Sequence, residues 1–150
     1  MKYIGYTQEE AAEKWARQHL GAKGAPSLFR ALSTVHDDGT FACVILLTNF
    51  TERNIDINIA ADCIFTPKIS VQLFNGAFKM IFEELGASRT TGLIADTNIL
   101  SQRFAEQIGF VKEGTMRKAY DQDEDVHIYG FLNDEFKTHN IQRIDSTNDK

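Results

Sequence analysis

Cysteine is scarce. The 150-residue chain carries only Cys43 and Cys63, with no CxxC spacing to hold zinc or exchange disulfides. Each sits in a strand-like apolar segment, so both are read as small buried hydrophobes in a reducing compartment. Proline occurs twice, which leaves no Pro-rich linker to divide the chain, and no internal repeat is present. Long hydrophobic runs are missing as well. The longest, Phe41 to Leu47, falls far short of the about 20 apolar residues that cross a bilayer as a helix. The first ten residues, Met1 to Glu10, contain no apolar core of a secretory leader. Positive charge is in deficit, with 16 Lys and Arg against 21 Asp and Glu and a net charge of -5. That balance repels polyphosphates and speaks against a nucleic-acid partner. The expectation is a cytoplasmic protein with neither membrane nor nucleic-acid partners.

What remains is the composition of one folded domain. Hydrophobic residues make up 43% and charged residues 25%, enough to bury a core without disulfides or metal. Thr7-x-x-Glu10 has the form of a capping box, and Ala11, Ala12, Trp15, Ala16 and Leu20 follow at near-helical spacing, predicting a helix over about 8–20. Gly21, Gly24 and Pro26 mark a loop. Two apolar runs, 28–35 and 41–47, flank Asp37-Asp38-Gly39 and predict a hairpin. Ile55-Asp56-Ile57-Asn58-Ile59 alternates with period two, as a strand with one buried face does.

From Val71 to Leu85 the apolar residues recur every three or four positions, and Gly86 stands where a helix end wants positive φ. Residues 89–95 read as a strand, 100–108 as a helix stopped by Gly109, and 110–119 with 126–132 as two strands around an acidic turn. The predicted order is αβββαβαββ, an α/β (α+β) domain over 1–138. The polar stretch 139–150 is expected to be a flexible tail. Asp121 to Asp125 imitates a calcium loop only by letter, because Val126 and Leu132 stand where that loop needs Gly and Glu. No metal site is expected.

Three ordered motifs stand out: Phe82-Glu83-Glu84-Leu85-Gly86-Ala87-Ser88-Arg89, then Asn98-x-x-Ser101, then Gly109-Phe110-Val111-Lys112-Glu113-Gly114-Thr115-Met116-Arg117, with Val126-His127-Ile128-Tyr129-Gly130 closing. Individually they are a helix stop, a helix cap and a strand bend or bulge. Together, in this order, the set resembles the GNAT superfamily of N-acetyltransferases, in particular the subgroup that acetylates ribosomal-protein N-termini. Small phage-encoded acetyltransferase-like proteins share the look, which would place the chain in a host cytoplasm. The likeness covers about residues 54–135. It implies the GNAT fold, a mixed central sheet with helices on both faces. It also implies acetyl-CoA as co-substrate and an amine acceptor, whether protein N-terminus, lysine or small amine. A homodimer is allowed but not required.

In that family the pyrophosphate sits on backbone amides at the start of the long central helix, which suits the unpaired N–H groups and dipole of a helix N-terminus. Counting back from Phe82 places Phe65-Thr66-Pro67-Lys68-Ile69-Ser70 on the family's Q/R-x-x-G-x-G/A loop. Both the basic residue and the first glycine are replaced. Pro67 removes a donor, while Lys68 brings a cation and Ser70 stays small.

The resemblance assigns cofactor contacts to Ile59, Ala60, Lys68, Ile69, Ser70, Val71, Asn98, Ser101 and Phe104. Ser101 would be the acid for the departing thiolate, since Ala105 stands where many relatives carry a tyrosine. Asp56 and Asp62, on or just after the strand bordering the pantetheine, are the candidate bases, with His127 a weaker one. A protein that keeps the fold but has lost catalysis, serving as an interaction module, is the competing expectation.

Overall fold

The computed structural model describes residues 2–4, 9–20, 28–61 and 67–138. In chain order these form β1 (Lys2–Ile4), α1 (Glu9–Leu20), β2 (Leu28–Val35), β3 (Phe41–Thr48), β4 (Asn54–Ala61), α2 (Pro67–Lys79), a π turn (Met80–Glu84), β5 (Arg89–Ala95), α3 (Ile99–Ile108), β6 (Val111–Met116), a 3-10 turn (Asp121–Asp123), β7 (Val126–Leu132) and α4 (Asn133–Thr138). The strands make one sheet in the order β1-β2-β3-β4-β5-β7-β6. Neighbours are antiparallel except β4 and β5, which run parallel. A mixed sheet with helices on both faces is therefore observed, as expected.

The alternation in β4 sorts the two faces. Ile55 and Ile57 are buried and Ile59 packs beside them in the main core, with Leu73, Phe74, Phe78, Ile81 and Phe131. Ala60 points the other way, into a smaller cluster with Ala12 and Ala16 of α1, Val44 and Leu46. α1 lies against β2, β3 and β4, and beyond it Leu93 (51% exposed) and Met116 (36%) lie bare on the sheet.

The predicted hairpin closes at Gly39, whose φ of 88° needs glycine's freedom. Asp38 Oδ1 accepts from Thr40 Oγ1 at 2.6 Å and from Thr40 N at 2.9 Å. Those bonds, the hydroxyl's foremost, hold the Asp38 carboxyl below its ordinary value of 3.8. A depressed carboxyl contributes stability above its unfolded pKa and loses it as pH falls through the folded one. Asp38→Asn should therefore lower Tm slightly at neutral pH, and the gap to the parent should close as pH drops below 3.8; melting curves across that range check it.

Several expectations need correction. The central helix begins at Pro67 rather than near Val71, because proline's fixed φ suits the first helical position. Four of the six residues assigned to a phosphate loop thus belong to the helix. At its other end the ladder widens into a π turn, with Leu85 N bonded to Met80 O at 2.9 Å, before Gly86 stops it at φ 70° as anticipated. β6 ends at Met116, not Ala119, just before Lys118 at φ 53°. Two elements escaped the sequence reading, β1 and α4. Cys43 is buried, 4% exposed, while Cys63 and the tail 139–150 lie outside the described residues. Among the described residues no helix is long and apolar enough to cross a membrane.

Candidate functional site

β4 and β5 begin together and then part. Their parallel register covers Asn54↔Arg89, Ile55↔Thr90, Asp56↔Thr91 and Ile57↔Gly92. Past that point β4 continues on β3 alone, from Asn58↔Leu46 to Ala61↔Cys43, and β5 continues on β7 alone, from Leu93↔Ile128 to Ala95↔Val126. The two strands form a fork whose inner edges, Asn58–Ala61 and Leu93–Ala95, carry main-chain groups not paired to each other. An extended chain with amide groups of its own fits such edges.

Helix starts stand after both prongs. α2 follows β4, and helix geometry leaves the N–H groups of Lys68 and Ile69 without a partner inside the helix, while Pro67 has none to offer. α3 follows β5 after a turn in which Asn98 is the N-cap: its Oδ1 accepts from Ser101 N at 3.2 Å. The capping role of Asn98 is therefore present, and it occupies the side-chain oxygen. The Ser101 hydroxyl has no hydrogen-bond partner among the described residues. Ser101 is half-buried on the stripe that carries Phe104, Ala105 and Ile108 down α3. Phe104 meets Phe74 edge-on at 5.2 Å, so α3 packs on α2 and turns the Ser101 stripe toward it.

The remaining candidates divide. Ile59 and Ala60 line the β4 prong from opposite faces of the sheet. Ser70 and Val71 follow in the backbone of α2. Asp56 is half-buried two residues before the fork opens, on the face away from α2. Its Oδ2 accepts from Asn49 Nδ2 at 3.0 Å and its Oδ1 from Asn54 Nδ2 at 3.1 Å. Asp62 lies outside the described residues. His127 pairs with Ile94, on the opposite face from Asp56, and its ring nitrogens meet Thr115 Oγ1 at 3.0 Å and Lys112 Nζ at 3.5 Å. It is not part of one cluster with Asp56. The acidic turn is occupied with local bonds: Asp121 accepts from Gln122 N, Asp125 from Lys118 N and Glu124 from Thr97 Oγ1.

Sequence reasoning missed a polar group at the closed end of the fork. Arg89 forms a bidentate ion pair with Glu113 of β6 and also reaches Asn54 and Thr91. The bond to Glu113 raises the guanidinium pKa above its ordinary value. Glu113 stands at a register shift between Lys112 and Gly114, the bulge its neighbouring glycine suggested. Arg89, Glu113 and Gly130 all belong to the motifs that carry the family likeness; their opposite charges were the available signal.

No family model matches the chain, and no curated protein does. Solved structures do. Mutant forms of the spermidine/spermine N-acetyltransferase SpeG from Vibrio cholerae superpose with a TM-score of 0.63 at 18% identity, over 86% of this chain and 79% of that one. A GCN5-related N-acetyltransferase from Brucella melitensis gives a TM-score of 0.65 at 21% identity, over 83% of this chain and 58% of that one. A chimera of the Vibrio cholerae enzyme and hSSAT gives 0.62 at 19%, over 85% and 78%. The fold is thus the one found in GCN5-related N-acetyltransferases.

Proposed function

We propose that the chain is an acetyl-CoA-dependent N-acetyltransferase. The observation that carries this is the fork between β4 and β5, with a helix start beyond each prong. In this reading the pantetheine arm of acetyl-CoA lies along the unpaired edges beside Ile59 and Ala60. Its phosphates meet the amides that open α2 around Lys68, Ile69, Ser70 and Val71, a ready anion site. Asn98, Ser101 and Phe104 border it from α3. The acceptor reaches the thioester from the other face, where Leu93 is bare.

The chemistry follows. The amine nitrogen attacks the thioester carbonyl, the C–N bond forms and the C–S bond breaks. Asp56 takes the amine proton, directly or through water, and the Ser101 hydroxyl gives one to the departing thiolate. The acceptor class that best fits the motif likeness is a protein N-terminus, with lysine and small amines next. The test is release of free CoA thiol from acetyl-CoA in the presence of N-terminal peptides, lysine peptides and diamines. Thiol release that depends on one acceptor supports the reading; none with any of them removes it.

At the helix start, Lys68→Glu places like charges together and should weaken acetyl-CoA binding roughly ten- to hundredfold while Tm holds. Calorimetry on folded mutant protein reads both. A second reading, a fold without catalysis, is favoured by one observation: Asp56 and the Asn98 oxygen are both committed to structural hydrogen bonds. It predicts no acetyl-CoA binding at all.

A further inference from the structure

We propose that Arg89 is a positioning residue: held by Glu113 across Gly130, it fixes the Asn54 amide and through it the Asp56 carboxylate. The consequence for turnover rests on the acetyl-transfer reading above; the placement of Asn54 does not.

The geometry begins at Gly130, in the middle of β7. A Cβ there would sit closer to Glu113 Oε1, Glu113 Cδ and Arg89 Nη2 than real Cβ atoms come to any neighbour. The glycine therefore leaves a channel across β7 in which the two side chains from flanking strands meet. Arg89 Nη2 contacts Glu113 Oε1 at 2.5 Å and Nη1 donates to Oε2 at 3.2 Å. Two parallel bonds between two planar groups leave the guanidinium one orientation, which a single-point cation could not have.

That orientation points Nε at β4. Nε donates to Asn54 Oδ1 at 3.3 Å, and Thr91 Oγ1 donates to the same atom at 2.6 Å. Thr91 is itself held by Arg89 Nη2 at 3.1 Å. With donors converging on one end of the Asn54 amide, that end must be the oxygen. The NH2 group is then forced to the other side, where it meets Asp56 Oδ1 at 3.1 Å. The flipped amide would set oxygen against carboxylate and NH2 against guanidinium. Asn49 Nδ2 holds the second Asp56 oxygen at 3.0 Å. A line of directed bonds thus runs from Glu113 on β6 to Asp56, one same-face residue short of the fork.

Two variants break the line in different ways. Arg89→Met keeps a stem of similar length and removes the donors; Gly130→Ala keeps both charges and wedges them apart with one methyl. In each, the Asn54 side-chain amide, followed by NMR in folded protein, should lose its distinct shift and exchange its protons about tenfold faster or more, as expected when bonds to charged groups are lost. In turnover, kcat should fall roughly ten- to hundredfold with the acetyl-CoA Kd unchanged. In an Asp56→Asn background, Arg89→Met should cost nothing further. Unaltered Asn54 signals in either variant overturn the proposal, as does an undiminished loss of kcat in the Asp56→Asn background. If the parent protein transfers no acetyl group, the acetyl-transfer reading fails and the Asn54 signals alone decide the placement.

Discussion

Phe78→Ala is expected to destabilise the fold by about 3–5 kcal/mol, the range for removing a large side chain from a closed core. Phe78 has no exposed surface and stands at the centre of an aromatic cluster. Its ring lies 4.9 Å from Phe131, 5.7 Å from Phe136, 5.8 Å from Phe74, 5.9 Å from Phe110 and 6.1 Å from Phe82. Those rings come from α2, the π turn, the turn before β6, β7 and α4, so the cavity left behind would touch five parts of the chain at once. Helix and sheet hold each neighbour and limit how far they can collapse inward. For a domain of this size the loss corresponds to a fall in Tm of roughly 10 °C. Leu100→Ala is the contrast: that side chain is 80% exposed, and the change should stay within about 0.5 kcal/mol. Equal Tm losses for the two would contradict the packing described.

Ser101→Ala should lower turnover about a hundredfold, the scale of a positioned acid, while leaving acetyl-CoA affinity nearly intact. The reason lies in the division of labour at the start of α3. The cap is made by the Asn98 oxygen on the Ser101 backbone amide, so alanine at 101 preserves it and should cost little stability. Asn98→Ala removes the cap itself and should cost about 1 kcal/mol. Measuring melting and turnover on both mutants separates the roles. A stable, inactive Ser101→Ala supports the acid assignment; a fully active one refutes it.

Much of the architecture was legible because it is written in local periodicity. The Ile55-Asp56-Ile57-Asn58-Ile59 alternation became β4 with its isoleucines on the main core, and Asp38-Gly39 became the hairpin turn. The apolar spacing from Val71 onward became α2. The exceptions are physical. A π turn differs from an α-helix by one step of hydrogen-bond register, Leu85 to Met80, and the letters of Met80 to Glu84 do not encode that step. β1 is three residues long and exists by pairing with β2, a contact that its own sequence cannot announce.

Around the candidate site, the relations among side chains were not legible in the sequence. Motif order pointed to the strands that fork, yet the relation among Arg89, Glu113 and Gly130 links three strands across the sheet. Residues 24 positions apart in the chain form its ion pair, and no window of local pattern spans that. Asn54 and Asn49, which hold Asp56, have the look of ordinary turn residues in sequence. The same locality explains Asn98: its side chain fits both a helix cap and a ligand contact, and only the observed bond to Ser101 N shows that the cap is made.

Titration of acetyl-CoA into the purified protein, by calorimetry and by melting, bears most directly on the central claim that the β4–β5 fork and the α2 helix start form an acyl-CoA site. The account predicts saturable one-to-one binding, weakened by Lys68→Glu, and stabilisation of about 2.7 kcal/mol at one hundred times the dissociation constant. No heat of binding and no change in Tm, even at millimolar acetyl-CoA, would contradict it.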